Sequence, residues 1–128
     1  MKFVSGGMTR YSSPAMHVDV RKMEDVVILD FEGRLVAGDG GDFAGDVFTQ
    51  LIVDGFKKIL VNLSEVEYID SLGLGVLVEG FKAAKEAGGS LRLLKPRGRV
   101  ENSLRLTMLL PLFQIYETEE LAIADFEA

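Results

Sequence analysis

Asp70 and Ser71 are the residues whose chemical type and position together suggest a functional site in this chain. They follow an apolar strand-like run at 58–63 and a short polar turn, and they stand directly before a stretch with helical apolar periodicity. A serine at a helix start lies beside free backbone N–H groups at the positive end of the helix dipole, where a phosphate is stabilised. The same position suits a serine that only caps the helix. Spacing by itself leaves both interpretations open.

Three glycines follow closely in the same predicted helix, at Gly73, Gly75 and Gly80. A glycine in a helix interior costs about 1 kcal/mol relative to alanine. That cost indicates that another group approaches the helix backbone closely at these positions. The approaching group is either the underlying sheet or a binding partner, and helix-on-sheet packing is the simpler explanation.

The patterns expected of a serine hydrolase are missing. A nucleophile elbow requires glycine two residues before the serine, and Ile69 occupies that position relative to Ser71. His17 is the only histidine, and the alternation around it predicts an exposed residue on the first strand rather than a catalytic base.

Nucleotide and metal sites are also weakly supported. The glycines at 73–80 lie within the helix, not in the turn before it, so they match a dinucleotide fingerprint poorly, and no P-loop sequence is present. Asp39, Asp42 and Asp46 lack the pattern of a calcium-binding loop, and we interpret them as capping or solvated residues. We therefore predict no catalytic residue, no metal and no cofactor.

Composition limits the remaining classes of function. The chain has 128 residues, a formal net charge of −6 and no cysteine. An acidic chain is a poor non-specific nucleic-acid binder, and a chain without cysteine has neither disulfides nor thiol chemistry. No apolar run resembles a signal peptide or the ~20 residues that span a bilayer. We expect a cytoplasmic protein with one domain at 15–128, preceded by a flexible tail at 1–14 that does not join the fold.

The elements that must position Asp70 and Ser71 follow an alternating pattern. Apolar periodicity and turn residues predict the order β-β-α-β-α-β-α-β-α, which favours an α/β fold with a mixed, mainly parallel sheet and an antiparallel hairpin at Glu24-Asp25. The predicted strands are 16–20, 26–31, 58–63, 90–94 and 113–116, and the predicted helices are 43–53, 72–87, 100–110 and 118–126.

The segment 59–77 resembles the signature of STAS domains, above all the anti-sigma factor antagonists of the stage II sporulation type. The core of the resemblance is the run Asp-Ser-Leu-Gly-Leu-Gly at 70–75 after a strand. Weaker similarity at 31–35, 88–93 and 104–113 extends it over about residues 16–126. The resemblance implies a sheet of four to five strands with helices packed on it.

The resemblance also implies a switch rather than an enzyme. It makes Ser71 the residue that a serine-kinase anti-sigma factor phosphorylates. The unphosphorylated chain would bind that kinase and release a sigma factor for transcription, and a phosphatase would reverse the mark. The residues expected to contact the partner are Asp70, Leu72, Gly73, Gly75, Val36 and Asp39.

One position departs from the family pattern. Relatives often carry an acidic residue near the phosphorylated serine, where this chain has Val36, and Asp39 is the nearby substitute. Two alternatives therefore stay open: a STAS scaffold or assembly module that works without phosphorylation, and a small-molecule or nucleotide sensor. We expect a monomer or weak dimer that binds no nucleic acid and does not insert into a membrane.

Overall fold

A six-stranded sheet forms the centre of the computed structural model, which describes residues 8–127. The strands lie in the sheet in chain order, with β1 to β3 antiparallel and β3 to β6 parallel. The mixed α/β class and the antiparallel hairpin are thus confirmed, with six strands in place of four to five. The elements are β1 Met8–Ser12, β2 Met16–Met23, β3 Val26–Leu35, α1 Asp39–Val53, β4 Lys58–Ile69, α2 Ser71–Glu86, β5 Ser90–Leu94, α3 Gly98–Leu106, a 3₁₀ turn Leu110–Leu112, β6 Ile115–Tyr116 and α4 Glu119–Glu127.

The additional strand, β1, lies within the segment predicted to be a flexible tail. It pairs antiparallel with β2, from Met8 opposite Arg21 to Ser12 opposite His17. The prediction that 1–14 stays outside the fold is therefore wrong for β1, whereas residues 1–7 lie outside the described residues. The sequence did not reveal this strand because it has little apolar alternation, and it joins the sheet mainly through backbone pairing, with Tyr11 packed on the core.

Strand β4 continues through the predicted polar turn and ends only at Ile69. Its second half pairs with β3, and at two register shifts β4 contains one residue more than β3. The buried residues there, Leu63, Val66 and Ile69, are spaced by three rather than two. This irregular spacing hid the strand from pattern analysis, which relies on alternation. As a result, Asp70 directly follows a strand of the sheet and lies at the start of α2.

The two faces of the sheet are covered unequally. Helices α1, α2 and α3 cover one face and contribute most of the core. Helix α4 covers part of the other face, where Ala122 and Phe126 pack on Val26, Ile28, Leu60 and Leu94.

An arginine on β2 also ties α4 to the sheet. The Arg21 Nε donates to Asp30 at 2.7 Å, and its Nη1 donates to Glu119, the first residue of α4, at 3.1 Å. The hydrogen bonds to Glu119 and then to Asp30 raise the pKa of Arg21 and outweigh the opposing effect of its burial. Arg21 therefore stays charged and links the hairpin of β2 and β3 to the last helix.

Helix α3 is shorter than predicted and buries fewer residues. It ends at Leu106, and Met108 is 84% exposed instead of continuing the buried stripe of Val100 and Leu104. Met108 has a φ of 60°, its N–H donates to the Arg105 carbonyl, and the next N–H donates to the Leu104 carbonyl. These two hydrogen bonds form a Schellman motif, which ends the helix with a left-handed residue. Met108 is that residue, so its side chain does not lie on the buried face with Val100 and Leu104.

Because Met108 has a left-handed backbone and an exposed side chain, we expect Met108→Gly to stabilise the protein by about 1 kcal/mol. Urea denaturation measures this change. The control is Leu106→Gly, which also removes an exposed apolar side chain but at a helical position, and which should destabilise by about 1 kcal/mol. Equal effects of the two substitutions would contradict the assignment.

Candidate functional site

Asp70, and not Ser71, caps helix α2. Asp70 has an extended backbone, and its Oδ1 accepts a hydrogen bond from the Gly73 N–H at 2.8 Å. Ser71 is the first residue of the helix itself. Capping by Ser71, one of the two interpretations left open above, therefore does not hold.

The Ser71 side chain is exposed, and its hydroxyl takes part in none of the hydrogen bonds within residues 8–127. The first turn of α2 contains no acidic residue. The capping carboxylate of Asp70 thus lies at the positive end of the helix dipole. A further negative group on Ser71 would meet the favourable helix dipole, while the Leu72 and Gly73 N–H groups already stabilise the Asp70 carboxylate.

The second carboxylate oxygen of Asp70 connects a loop to the start of α2. Its Oδ2 accepts a hydrogen bond from the Ala37 N–H at 2.9 Å, which ties the β3–α1 connection to the start of α2. Burial alone would raise the pKa of Asp70, but the N–H groups of Ala37, Gly73 and Leu72 stabilise the carboxylate and lower the pKa below its usual 3.8. Asp70 is therefore ionised at neutral pH, directly beside Ser71.

Since the folded protein lowers the pKa of Asp70, its charged form contributes stability above pH 3.8, and this contribution is lost as the pH falls below that value. We expect Asp70→Asn to destabilise the protein at pH 7 by roughly 1 kcal/mol and to have less effect at pH 3. Urea denaturation of both proteins at the two pH values measures the difference. If the two proteins differ in free energy of unfolding by the same amount at pH 7 and pH 3, the carboxylate charge does not contribute to stability.

The structure brings the predicted loop and the predicted helix start together. Val36 is half-buried, and its carbonyl accepts a hydrogen bond from the Gly41 N–H at 2.6 Å. Asp39 is the first residue of α1. Val36 and Asp39 thus lie on either side of Ala37, whose N–H donates to Asp70. The N-cap of α1 is Gly38, with φ 79° and no side-chain hydrogen bond. The prediction that Asp39 or Asp42 caps this helix is therefore wrong.

The glycines of α2 differ in their surroundings. A Cβ on Gly73 would collide with the Leu35 carbonyl oxygen, and one on Gly80 would lie 2.8 Å from a Phe48 ring atom. A Cβ on Gly75 would have no atom within 4 Å. Gly73 and Gly80 thus serve packing within the protein, as the simpler explanation predicted, whereas packing does not explain Gly75. Gly73 is buried. Its contact with a partner stays a prediction.

Two exposed apolar side chains flank Ser71 in the chain. Leu72 is 61% exposed, and Tyr68, at the end of β4, is 42% exposed. Leu72 belongs to the predicted contact residues, whereas Tyr68 was missed because its segment was assigned to a turn. Both side chains therefore expose apolar surface within three residues of Ser71 along the chain.

The other candidate chemistries gain no geometric support. His17 is half-buried rather than exposed, and its Nδ1 lies 2.7 Å from the hydroxyl of Ser12. Across the part of the chain that the structure describes, no three His, Cys, Asp or Glu side chains converge into a metal site. Within residues 8–127, no helix combines the length and apolarity needed to cross a bilayer.

Comparisons with known proteins assign the family. The STAS domain model matches residues 17–122. One relative is a Thermotoga neapolitana protein that is named as an anti-sigma factor antagonist. It is 38% identical over 105 residues, and the match covers 82% of this chain and 93% of the relative. The anti-sigma-B factor antagonist of Staphylococcus aureus is 35% identical, covering 59% of this chain and 69% of the relative.

A solved structure agrees with this assignment. The crystal structure of a Thermotoga maritima protein, also named for anti-sigma factor antagonists, superposes with a TM-score of 0.76 at 34% identity, covering 85% of this chain and 93% of that chain. The chain belongs to the STAS domain family, among the anti-sigma factor antagonists.

Proposed function

We propose that this protein binds a serine-kinase anti-sigma factor, and that phosphorylation of Ser71 ends this binding and so regulates sigma-factor-dependent transcription. The observation that carries the proposal is the exposed Ser71 hydroxyl, which starts α2 without capping it. A kinase needs such a hydroxyl, accessible and not engaged in the fold. The protein would then be the substrate of its partner, with no catalytic group of its own.

The position of Ser71 supports a switch that acts on binding rather than on folding. Phosphorylation adds about −1.5 to −2 charge at neutral pH. The helix N-terminus stabilises that charge, so the fold should survive. A partner packed on Leu72 and Tyr68 would instead meet a phosphate beside the ionised Asp70. The bulk of the phosphate and the cost of removing its charge and that of Asp70 from water would then weaken the complex.

The loop at Val36 supports a partner surface made of two segments. Asp70 holds this loop against the start of α2 through the Ala37 N–H, so a kinase docked on Ser71 would also reach Val36 and Asp39. Since Val36 replaces the acidic residue of many relatives, docking here would rely on apolar contact at this position. We assign the acidic contact to Asp39, which follows three residues later.

The test is phosphorylation by the kinase-type anti-sigma factors of the same genome. Each is mixed with this protein and ATP, and the products are mapped by mass spectrometry. We expect one phosphate, on Ser71, and none on Ser71→Ala, with removal by a phosphatase of the same system. Phosphate at another residue, or none with Ser71 intact, would contradict the proposal.

Val36 also favours a second candidate, a STAS assembly module that works without phosphorylation. If the missing acidic residue prevents kinase docking, the exposed Leu72 and Tyr68 would still form a binding surface. Partner binding that is equal for the wild type and Ser71→Asp would identify this second function. As a regulator of sigma-factor-dependent transcription, the protein would act in the cytoplasm.

A further inference from the structure

A groove of about 690 Å³ runs between α1 and α2. It begins near Leu72, directly after Ser71, and reaches Ile52 and Ala83 toward the other ends of the two helices. Apolar side chains, including Phe48 and Val76, form much of its surface. The site at Ser71 thus continues into an elongated apolar depression that the proposed phosphorylation switch does not explain.

Two glycines that line the groove have no packing role within the protein. A Cβ on Gly75 would meet no atom within 4 Å, and one on Gly45 would come no nearer than 3.9 Å, to Val76. Both lie inside helices, where alanine would be more stable. Gly73 and Gly80, in contrast, are required by neighbouring atoms. The open glycines leave room above the helix backbones that a bound segment can occupy.

The charges along the groove are of one sign. Among the residues that the structure describes, the charged ones that line it are Asp42 and Asp46 on α1 and Glu79 on α2, and all three are exposed. An apolar floor between acidic edges is complementary to a helix with one apolar face and lysine or arginine beside it. The length of the groove along two helices also suits a helix better than a single side chain.

We infer that the groove between α1 and α2 binds a basic amphipathic helix of the partner protein. Apolar residues of that helix pack on Phe48 and Val76, its backbone approaches Gly45 and Gly75, and its basic residues face Asp46 and Glu79. This inference rests on the proposed function in one respect only: the partner that reads Ser71 is the one that supplies the helix. A phosphate on Ser71 would then lie at the mouth of the groove.

The first test uses a probe that does not depend on any anti-sigma factor. The probe is a capped synthetic helix of about 18 residues, with leucines at i, i+3, i+4 and i+7 and lysines beside them. Amide NMR shifts of the full chain locate the bound peptide. We expect shifts along α1 and α2, and binding at least tenfold weaker for the same peptide with glutamates in place of lysines.

Matched variants test the groove itself. Gly75→Leu and Glu79→Lys should each weaken peptide binding at least tenfold, whereas Glu86→Lys, the same charge change on α2 outside the groove, should alter it less than twofold. Gly75→Ala should raise the thermal midpoint, because the fold does not need this glycine. Equal binding by Glu79→Lys and Glu86→Lys, or shifts that map to another surface, would overturn the inference.

The same variants are then measured with the anti-sigma factor that phosphorylates Ser71. Tenfold loss with Gly75→Leu and Glu79→Lys supports the inference, and unchanged affinity overturns it. If no anti-sigma factor binds, the proposed function is contradicted. The inference about the groove is then decided by the peptide experiment. Sedimentation of the free protein provides the last control: self-association that Glu79→Lys abolishes would assign the groove to a second copy and overturn the inference.

Discussion

We expect Ser71→Asp to lower the affinity for the anti-sigma factor by about 100-fold or more while leaving the free energy of unfolding nearly unchanged. The carboxylate would add a second negative charge beside Asp70, on a surface that the partner must desolvate. Within the protein, the same charge lies at the first position of α2, where the helix dipole favours it by about 0.3–1 kcal/mol. Titration calorimetry and urea denaturation measure the two quantities.

Two substitutions serve as controls for this expectation. Ser71→Ala should bind like the wild type, because the hydroxyl makes no hydrogen bond with the described residues. Asn102→Asp adds one negative charge at an exposed position on α3 and should leave affinity unchanged. Loss of folding in Ser71→Asp would instead mean that Ser71 has a structural role. Unchanged affinity would favour the module that works without phosphorylation.

The second large effect is expected at Gly73. Gly73→Ala should destabilise the protein by about 2–3 kcal/mol, because the added Cβ would collide with the Leu35 carbonyl and lie 2.9 Å from the Ile69 side chain. Relief would require the start of α2 to move away from β3. That movement would disturb the hydrogen bond from the Asp70 N–H to the Leu35 carbonyl and also the position of Ser71.

Gly75→Ala is the matched control, two residues along the same helix. Since a Cβ there has open space, this substitution should stabilise the protein by about 0.5–1 kcal/mol. Urea denaturation compares the two variants. Opposite signs would show that packing, and not helix propensity, requires glycine at 73. Destabilisation by both would show instead that the first turns of α2 tolerate no added side chain at either position.

Features that depend on neighbouring residues could be predicted from the sequence. The helix start at 70–71 follows from Asp70, which caps with its own side chain to a backbone group three residues later. The hairpin turn at Glu24-Asp25 connects β2 and β3 as expected, with a positive φ at Glu24. The short motif at 70–75 identified the family, and the match to the STAS domain confirms it.

The sequence by itself determined that Asp70 and Ser71 begin a helix after a buried strand, because capping and apolar periodicity act over a few residues. Only the tertiary structure decided that Ser71 is free, that Gly73 is needed for packing and Gly75 is not, and that β1 and the end of β4 belong to the sheet. Each of these depends on a contact between distant parts of the chain, such as Asp70 with Ala37 or Gly73 with Leu35. Local patterns carry no information about which distant group arrives at a given residue.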